Sequence, residues 1–373
     1  MNIIVIGGGA AGLMAAGTAA EQGANVTLFE TNEKVGRKLF ITGKGRCNVC
    51  NDCDAQEVLR NVPVNPRFLY SALGAFSPAD VKAFFEEKGV ALKTERGNRV
   101  FPVSDRASDV IDALFLWVRR TGVSIVHASV SNLVMQDGRV TGVRAGKKTC
   151  LADRVIVATG GASYPQTGST GDGYRFAREA GHTVVPANPS LVPLVESGET
   201  CRSLMGLSLR NVQLTVFENE KKIYTDFGEM LFTHFGLSGP LVLSASAHMR
   251  HFGSKSYRVE IDLKPALDEK TLDRRLLADF DKHKNSDFIN ALGELLPRKL
   301  IPAVIEKSGI DPREKVNTIT KKQRASLLRV LKCFPVEISG KRPIAEAIVT
   351  TGGVSVREVS PKTMESKKCS GLY

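Results

Sequence analysis

Gly7-Gly8-Gly9-Ala10-Ala11-Gly12 fits the GxGxxG spacing and follows the apolar run Ile3-Ile4-Val5-Ile6 directly. The chemistry this suits is the holding of a dinucleotide pyrophosphate. Gly7 permits a tight turn out of a strand, Gly9 lets the backbone approach a diphosphate, and Gly12 allows close packing of helix on strand. Ala10 and Ala11 open the helix without bulk. Its N-terminus offers unpaired N–H groups and a partial positive charge to an anion. Glu30 stands eighteen residues after Gly12, at the end of Val26-Thr27-Leu28-Phe29. A carboxylate there can accept hydrogen bonds from ribose hydroxyls and disfavours a 2′-phosphate. Strand, glycine turn, helix, strand and acid within about thirty residues form a far more specific signal than the glycines alone. These residues do not choose between NAD and FAD.

A second group lies just beyond. Residues 34–46 hold five Lys/Arg and no acid. Arg37, Lys38, Gly43, Lys44, Gly45, Arg46, Cys47 and Asn48 can wrap a pyrophosphate with cations and backbone N–H groups, or form a solvated basic loop. A third group, Thr159-Gly160-Gly161, ends the apolar run Val155-Ile156-Val157-Ala158. In an open α/β sheet, ligands sit at the carboxyl ends of strands, which places Thr159, Gly160 and Gly161 beside the same ligand. Cys47, Cys50 and Cys53 lack the fourth ligand that an iron–sulfur run or a zinc site needs, so no metal is expected.

These stretches, with several later ones, resemble the BaiN-like (YhiN-like) family of bacterial FAD-dependent oxidoreductases. The resemblance rests on Gly36-Arg37-Lys38, Thr42-Gly43-Lys44-Gly45-Arg46-Cys47-Asn48, Asn98 to Pro102, Val157 to Gly161 and Gly168 to Tyr174. It continues through Gly228 to His234, Gly236 to Pro240, Thr350 to Val354 and Lys362 to Lys367. It implies bound FAD. It also carries over Val130, at the start of a meander, as a strand position whose backbone contacts the adenine.

The elements that must position these groups are those of an α/β chain. Helical patterns at 66–88 and 105–121 alternate with apolar strands near 123–126 and 154–158, and 129–152 reads as a β-meander with Asp137-Gly138 as a hairpin turn. From Pro186 to about 262, short alternating runs indicate an antiparallel insertion; from Pro265 to about 333 the pattern is mostly helical. The resemblance implies the same layout: a Rossmann-type FAD-binding domain (1–190 and 343–373), an inserted β-barrel-like domain (191–264 and 334–342) and a helical insertion (265–333).

The chain of 373 residues carries a formal charge of +12. Residues 264–342 hold 18 Lys/Arg against 11 Asp/Glu. Such a face suits a polyanionic substrate or a solvated surface. Residues 3–20 are uncharged but hold five glycines, which argues for a buried strand and helix and against a membrane span. Seven cysteines, an odd number, suit reduced thiols in the cytoplasm. No obligate protein partner is evident.

Only one dinucleotide fingerprint is present, so either NAD(P)H visits as a transient reductant or the donor is another reductant. The leading expectation is hydride delivery from reduced flavin to a substrate double bond, in a steroid-type enone or an RNA base. His234 is the first candidate proton donor and Tyr164 the second. The resemblance also implies a continuation after Gly371-Leu372-Tyr373 that contacts the flavin's ribityl chain and pyrimidine edge. Either the sequence is cropped there, or the protein is a real truncation, and in the second case weak FAD retention is expected. The alternatives are a flavin-dependent amine oxidase, which the resemblance also implies, and a flavin-binding protein without turnover, which the missing segment supports.

Overall fold

The computed structural model describes residues 1–373 as two compact units, Met1–Asn188 with Thr350–Tyr373, and Pro189–Val349. The first opens with strand β1 (Asn2–Ile6), helix α1 (Ala10–Glu21) and strand β2 (Asn25–Glu30). Four strands form a parallel sheet in the order Arg154–Val157, β1, β2, Ser124–His127. In register, Ile4 lies beside Val155 and Val5 beside Leu28. Leu372 bridges Val155 in parallel at the outer edge of that sheet.

Both faces of β1 are covered, which explains its unbroken β-branched run. Ile3 and Val5 pack with Leu13, Ala16, Leu28 and Trp117 on one side. Ile4 and Ile6 pack with Phe29, Val140, Val143 and Phe176 on the other. On the first side, α1 meets the helix Ala107–Arg120 at a glycine. A Cβ on Gly17 would run into the Trp117 ring, and the indole N–H donates to Glu21 Oε1 at 2.7 Å. On the second side lies the meander Val130–Gln136, Arg139–Ala145, Lys148–Leu151. Asp137 and Gly138 both have positive φ (51° and 73°), as the tight twisted turn of this hairpin requires.

The helical pattern at 66–88 proves to be three pieces: a 3-10 turn at Pro66–Leu69, a helix at Tyr70–Ala75 and another at Pro78–Glu87. Ser77 and Asp80 form a capping box, and Pro78 fills the first helical position, so the chain restarts a helix there.

The second unit is built on a closed antiparallel barrel with strand order Leu194–Glu196, Gly236–Ser238, Lys221–Thr233, Ser208–Glu218, Tyr257–Asp262, Phe334–Lys341. Val212, Leu214 and Val216 alternate inward. Helices Glu269–Lys282, Ile301–Ser308 and Lys321–Lys332 share one continuous core with the barrel, so barrel and helices are a single body. No helix of the chain is long and apolar enough to cross a membrane.

Lys341 ends the last barrel strand, and its ammonium donates to the Pro189 carbonyl at 3.0 Å. Burial, with Arg250 nearby, lowers it to about 8. The unfolded chain therefore binds a proton that the folded chain lacks from about pH 8 up to the ordinary lysine range, and stability rises with pH through that window. Replacing Lys341 by Met removes the buried charge. We expect this variant to be more stable near neutral pH, on the order of 1 kcal/mol, and to lose the rise. Urea denaturation followed by circular dichroism at a series of pH values measures both.

Candidate functional site

A cavity of about 770 Å³ opens where β1 passes into α1, and its wall is drawn wholly from the first unit. Its size lies in the upper part of the range for ligand sites, about 300–1,000 Å³. The floor is the glycine turn. Gly7 has φ +105°, and a Cβ there would stand 2.6 Å from the Ala158 carbonyl oxygen. A Cβ on Gly12 would strike the Gly7 carbonyl oxygen. Gly12 thus serves the packing of helix on strand and does not line the cavity, while Gly7, Gly9, Ala10 and Ala11 do. Gly9 is the N-cap of α1, no side chain caps the helix, and a Cβ on Gly9 would meet nothing within 4 Å. The open first turn of α1 therefore borders free space, with a helix N-terminus's unpaired N–H groups and partial positive charge.

Glu30 forms the next part of the wall and is only 8% exposed. Its Oε2 accepts the Gly8 N–H at 2.7 Å. Its Oε1 accepts the Asn32 N–H at 2.8 Å and the Asn32 side-chain amide at 2.7 Å. The carboxylate is thereby fixed in orientation, and Oε2 keeps acceptor capacity for a further donor. Asn32 also donates to the Thr167 carbonyl at 3.2 Å and accepts from Arg37 Nη1 at 2.7 Å. One amide thus joins the end of β2, the basic loop and the loop after Gly161.

The short helix α2 (Arg37–Ile41) brings Arg37, Lys38 and Leu39 to the cavity. Lys38 Nζ donates to Ser163 Oγ at 2.6 Å, and burial holds its ammonium below the usual lysine range. The remainder of the basic stretch is engaged elsewhere. Arg46 pairs with Glu95 and Asp105, and its guanidinium lies 4.1 Å over the Phe101 ring. Cys47 is a core residue whose thiol burial pushes up. The Asn48 amide faces the carbonyls of Cys50 and Val100. Gly43, Lys44 and Gly45 form the turn between α2 and these anchors and do not line the cavity.

Val130, Thr159 and Gly160 also line the cavity, Thr159 beside the glycine turn, and Gly161 lies near the Tyr174 hydroxyl. Thr159 Oγ1 is buried with no hydrogen-bond partner. Such an orphan hydroxyl on a cavity wall is what a bound polar group satisfies. Tyr164 is not part of the wall; its ring lies 5.8 Å from Lys38 Nζ. His234 belongs to the second unit, where its ring meets Phe235 edge-on at 4.9 Å. Of the wall residues given no site role from sequence, Gly8, Asp172, Tyr174 and Ser366 lie inside the quoted motifs, whereas Asn32 and His182 lie outside them. Asn32, two residues after the ribose acid, was the one a local pattern could have flagged.

The family model described as the HI0933-like protein Rossmann domain matches residues 1–373. The chain belongs to the HI0933-like family. It is 31% identical over 378 residues to a 3-dehydro-bile acid delta(4,6)-reductase of Clostridium scindens, covering 100% of this chain and 91% of the relative. It is 32% identical over 379 residues to a ribosomal RNA dihydrouridine synthase of Haemophilus influenzae, covering 99% and 90%. A protein of the same description from Escherichia coli is 29% identical over 374 residues, covering 100% and 90%. The resemblance read from the motifs holds along the whole chain, and this HI0933-like protein is an oxidoreductase.

Because Glu30 anchors the glycine turn as well as facing the cavity, Glu30→Gln should be felt without any ligand. The amide retains one acceptor but sets an NH₂ group against backbone donors. We expect a loss of about 1–3 kcal/mol in stability, read from urea denaturation of the ligand-free protein. An unchanged midpoint would show that the bond to Gly8 contributes nothing.

Proposed function

We propose that this chain is an FAD-dependent reductase that takes electrons from NAD(P)H and reduces a polarised carbon–carbon double bond. The observation that carries the FAD part is the conjunction of an uncapped, ligand-accessible helix N-terminus at Gly9 with the fixed Glu30 carboxylate beside it on the same cavity. The groups present fit an adenine dinucleotide. The N–H groups of Ala10 and Ala11 receive the pyrophosphate, and Arg37 and Lys38 stand by with positive charge. Glu30 accepts from the ribose hydroxyls, Val130 offers backbone to the adenine, and Thr159 supplies its unpaired hydroxyl. Bound flavin would supply the hydride chemistry, the protein position and electrostatics.

The double bond is inferred from the relatives. The bile-acid enzyme is named a reductase, and a dihydrouridine differs from uridine by two hydrogens across one carbon–carbon bond. Either product needs one hydride and one proton. The excess of basic residues at 264–342 favours an RNA substrate over a steroid. Seven unpaired thiols suit a cytoplasmic setting.

The purified chain should bind FAD and bleach with NAD(P)H. Gly9→Val should fold normally, since a side chain there meets no protein atom, yet retain no flavin. Flavin absorbance after gel filtration, alongside a urea midpoint, checks this; retained flavin would remove Gly9 from the phosphate site.

Turnover should then be compared on a 3-oxo-4-ene steroid and on ribosomal RNA. With RNA, activity should fall steeply from low to moderate salt, because phosphate contacts release counterions. A steroid should be nearly indifferent to salt. Failure of both substrates would overturn the reductase assignment.

A further inference from the structure

Reduction of a double bond consumes a proton as well as a hydride, and the two sequence candidates for its donor do not line the cavity. A different group does. His182 is 7% exposed and Ser366 lies next to it on the wall, although they are 184 residues apart in sequence. His182 Nε2 and Ser366 Oγ are 2.6 Å apart. On the far side of the ring, His182 Nδ1 faces Glu358 Oε2 at 3.4 Å and has no hydrogen-bond partner of its own. Glu358 is held in place by the Thr183 N–H at 2.8 Å and the Thr183 hydroxyl at 3.1 Å.

Counting donors fixes the protons. Ser366 Oγ accepts the backbone N–H groups of Lys368 at 3.0 Å and Cys369 at 2.9 Å. A hydroxyl has two lone pairs and one proton, so both acceptor sites are filled and its proton goes to His182 Nε2. Nε2 is therefore bare, and the ring proton sits on Nδ1, toward the carboxylate. This is the arrangement of a serine–histidine–carboxylate set after it has given up a proton. The two N–H donors on Oγ also stabilise negative charge there, which makes the hydroxyl a better acid than a free serine.

We propose that Ser366 is the proton donor of this cavity, recharged by His182, with Glu358 as the positioning residue for the imidazole. The inference rests on the reductase assignment. In the charged state His182 carries protons on both nitrogens. Nε2–H then takes the Oγ lone pair held by one of the two backbone N–H groups, and the Ser366 O–H turns to the cavity. Bound flavin, once reduced, would supply the hydride for a C–H bond at one end of the substrate's double bond. The π pair moves to the other end and takes the Ser366 proton, while the Nε2 proton passes to Oγ. The set ends in the arrangement seen here, and His182 regains its proton from water that enters once product has left. Glu358 balances the imidazolium charge.

The test combines a ligand-free and a catalytic measurement. In the free protein, ¹⁵N-histidine NMR should show His182 with its proton on Nδ1, and Ser366→Ala should shift the Nε2 resonance. The opposite tautomer, or no response to Ser366→Ala, overturns the proposal whatever the protein reduces. With whichever of the 3-oxo-4-ene steroid or ribosomal RNA turns over, Ser366→Ala and His182→Gln should each lose about 100-fold in turnover while keeping flavin absorbance. Full turnover in either variant rejects the assignment. Added imidazoles should restore His182→Gly, with rates that follow the basicity of the added ring. A merely structural histidine would give rescue that ignores basicity, which also overturns the proposal. Absence of turnover on both substrates in the unaltered protein counts against the reductase assignment, and the NMR result still decides the proton set.

Discussion

The hydrogen bond from the Gly8 N–H to the Glu30 carboxylate is the contact on which the first unit's site depends. It ties the turn after β1 to the end of β2 across a sequence separation of 22 residues. It works with two backbone bonds on the same turn, from the Gly7 N–H to the Phe29 carbonyl at 2.7 Å and from the Gly36 N–H to the Gly8 carbonyl at 2.8 Å, which together restrain glycines that would otherwise be free. Asn32 completes the brace by bonding to the same carboxylate and to the Thr167 carbonyl. The backbone N–H groups at the start of α1 are thereby aimed before any ligand arrives, and a site so arranged spends little binding free energy on ordering itself.

Much of this was legible in the sequence because it is local. The β-branched run of β1, the glycine spacing and the acid after β2 all fall within thirty residues, and each needs only its neighbours to form. The sheet, the meander and the antiparallel character of the second unit also follow from apolar patterning and from turn residues such as Asp137-Gly138, whereas closure into a barrel was implied by the resemblance alone. Helix continuity was less legible at 66–88. There the Ser77–Asp80 capping box overrides an apolar pattern that, by periodicity alone, could have run through it.

The least legible features are those assembled from distant residues. A basic loop advertises charge but not its partners. The carboxylates that engage Arg46 are Glu95 and Asp105, which nothing in the loop itself announces. His182 and Glu358 lie in no quoted motif, Ser366 sits in Lys362 to Lys367 without reading as chemistry, and the parallel return of the chain end beside Arg154–Val157 brings that end onto the same sheet. Lys38 lies between these cases: its place beside the cavity follows from the local helix, whereas its bond to Ser163 Oγ does not.

The packing of Trp117 on Gly17 has an optical corollary. The chain has a single tryptophan, and it lies wholly in the core of the first unit, with its ring nitrogen bonded to Glu21. Fluorescence excited at the indole band therefore watches the Rossmann half and is blind to the barrel half. Circular dichroism sums over both. Any mismatch between the two signals during melting would reveal that the halves come apart in separate steps, with no label added to the protein.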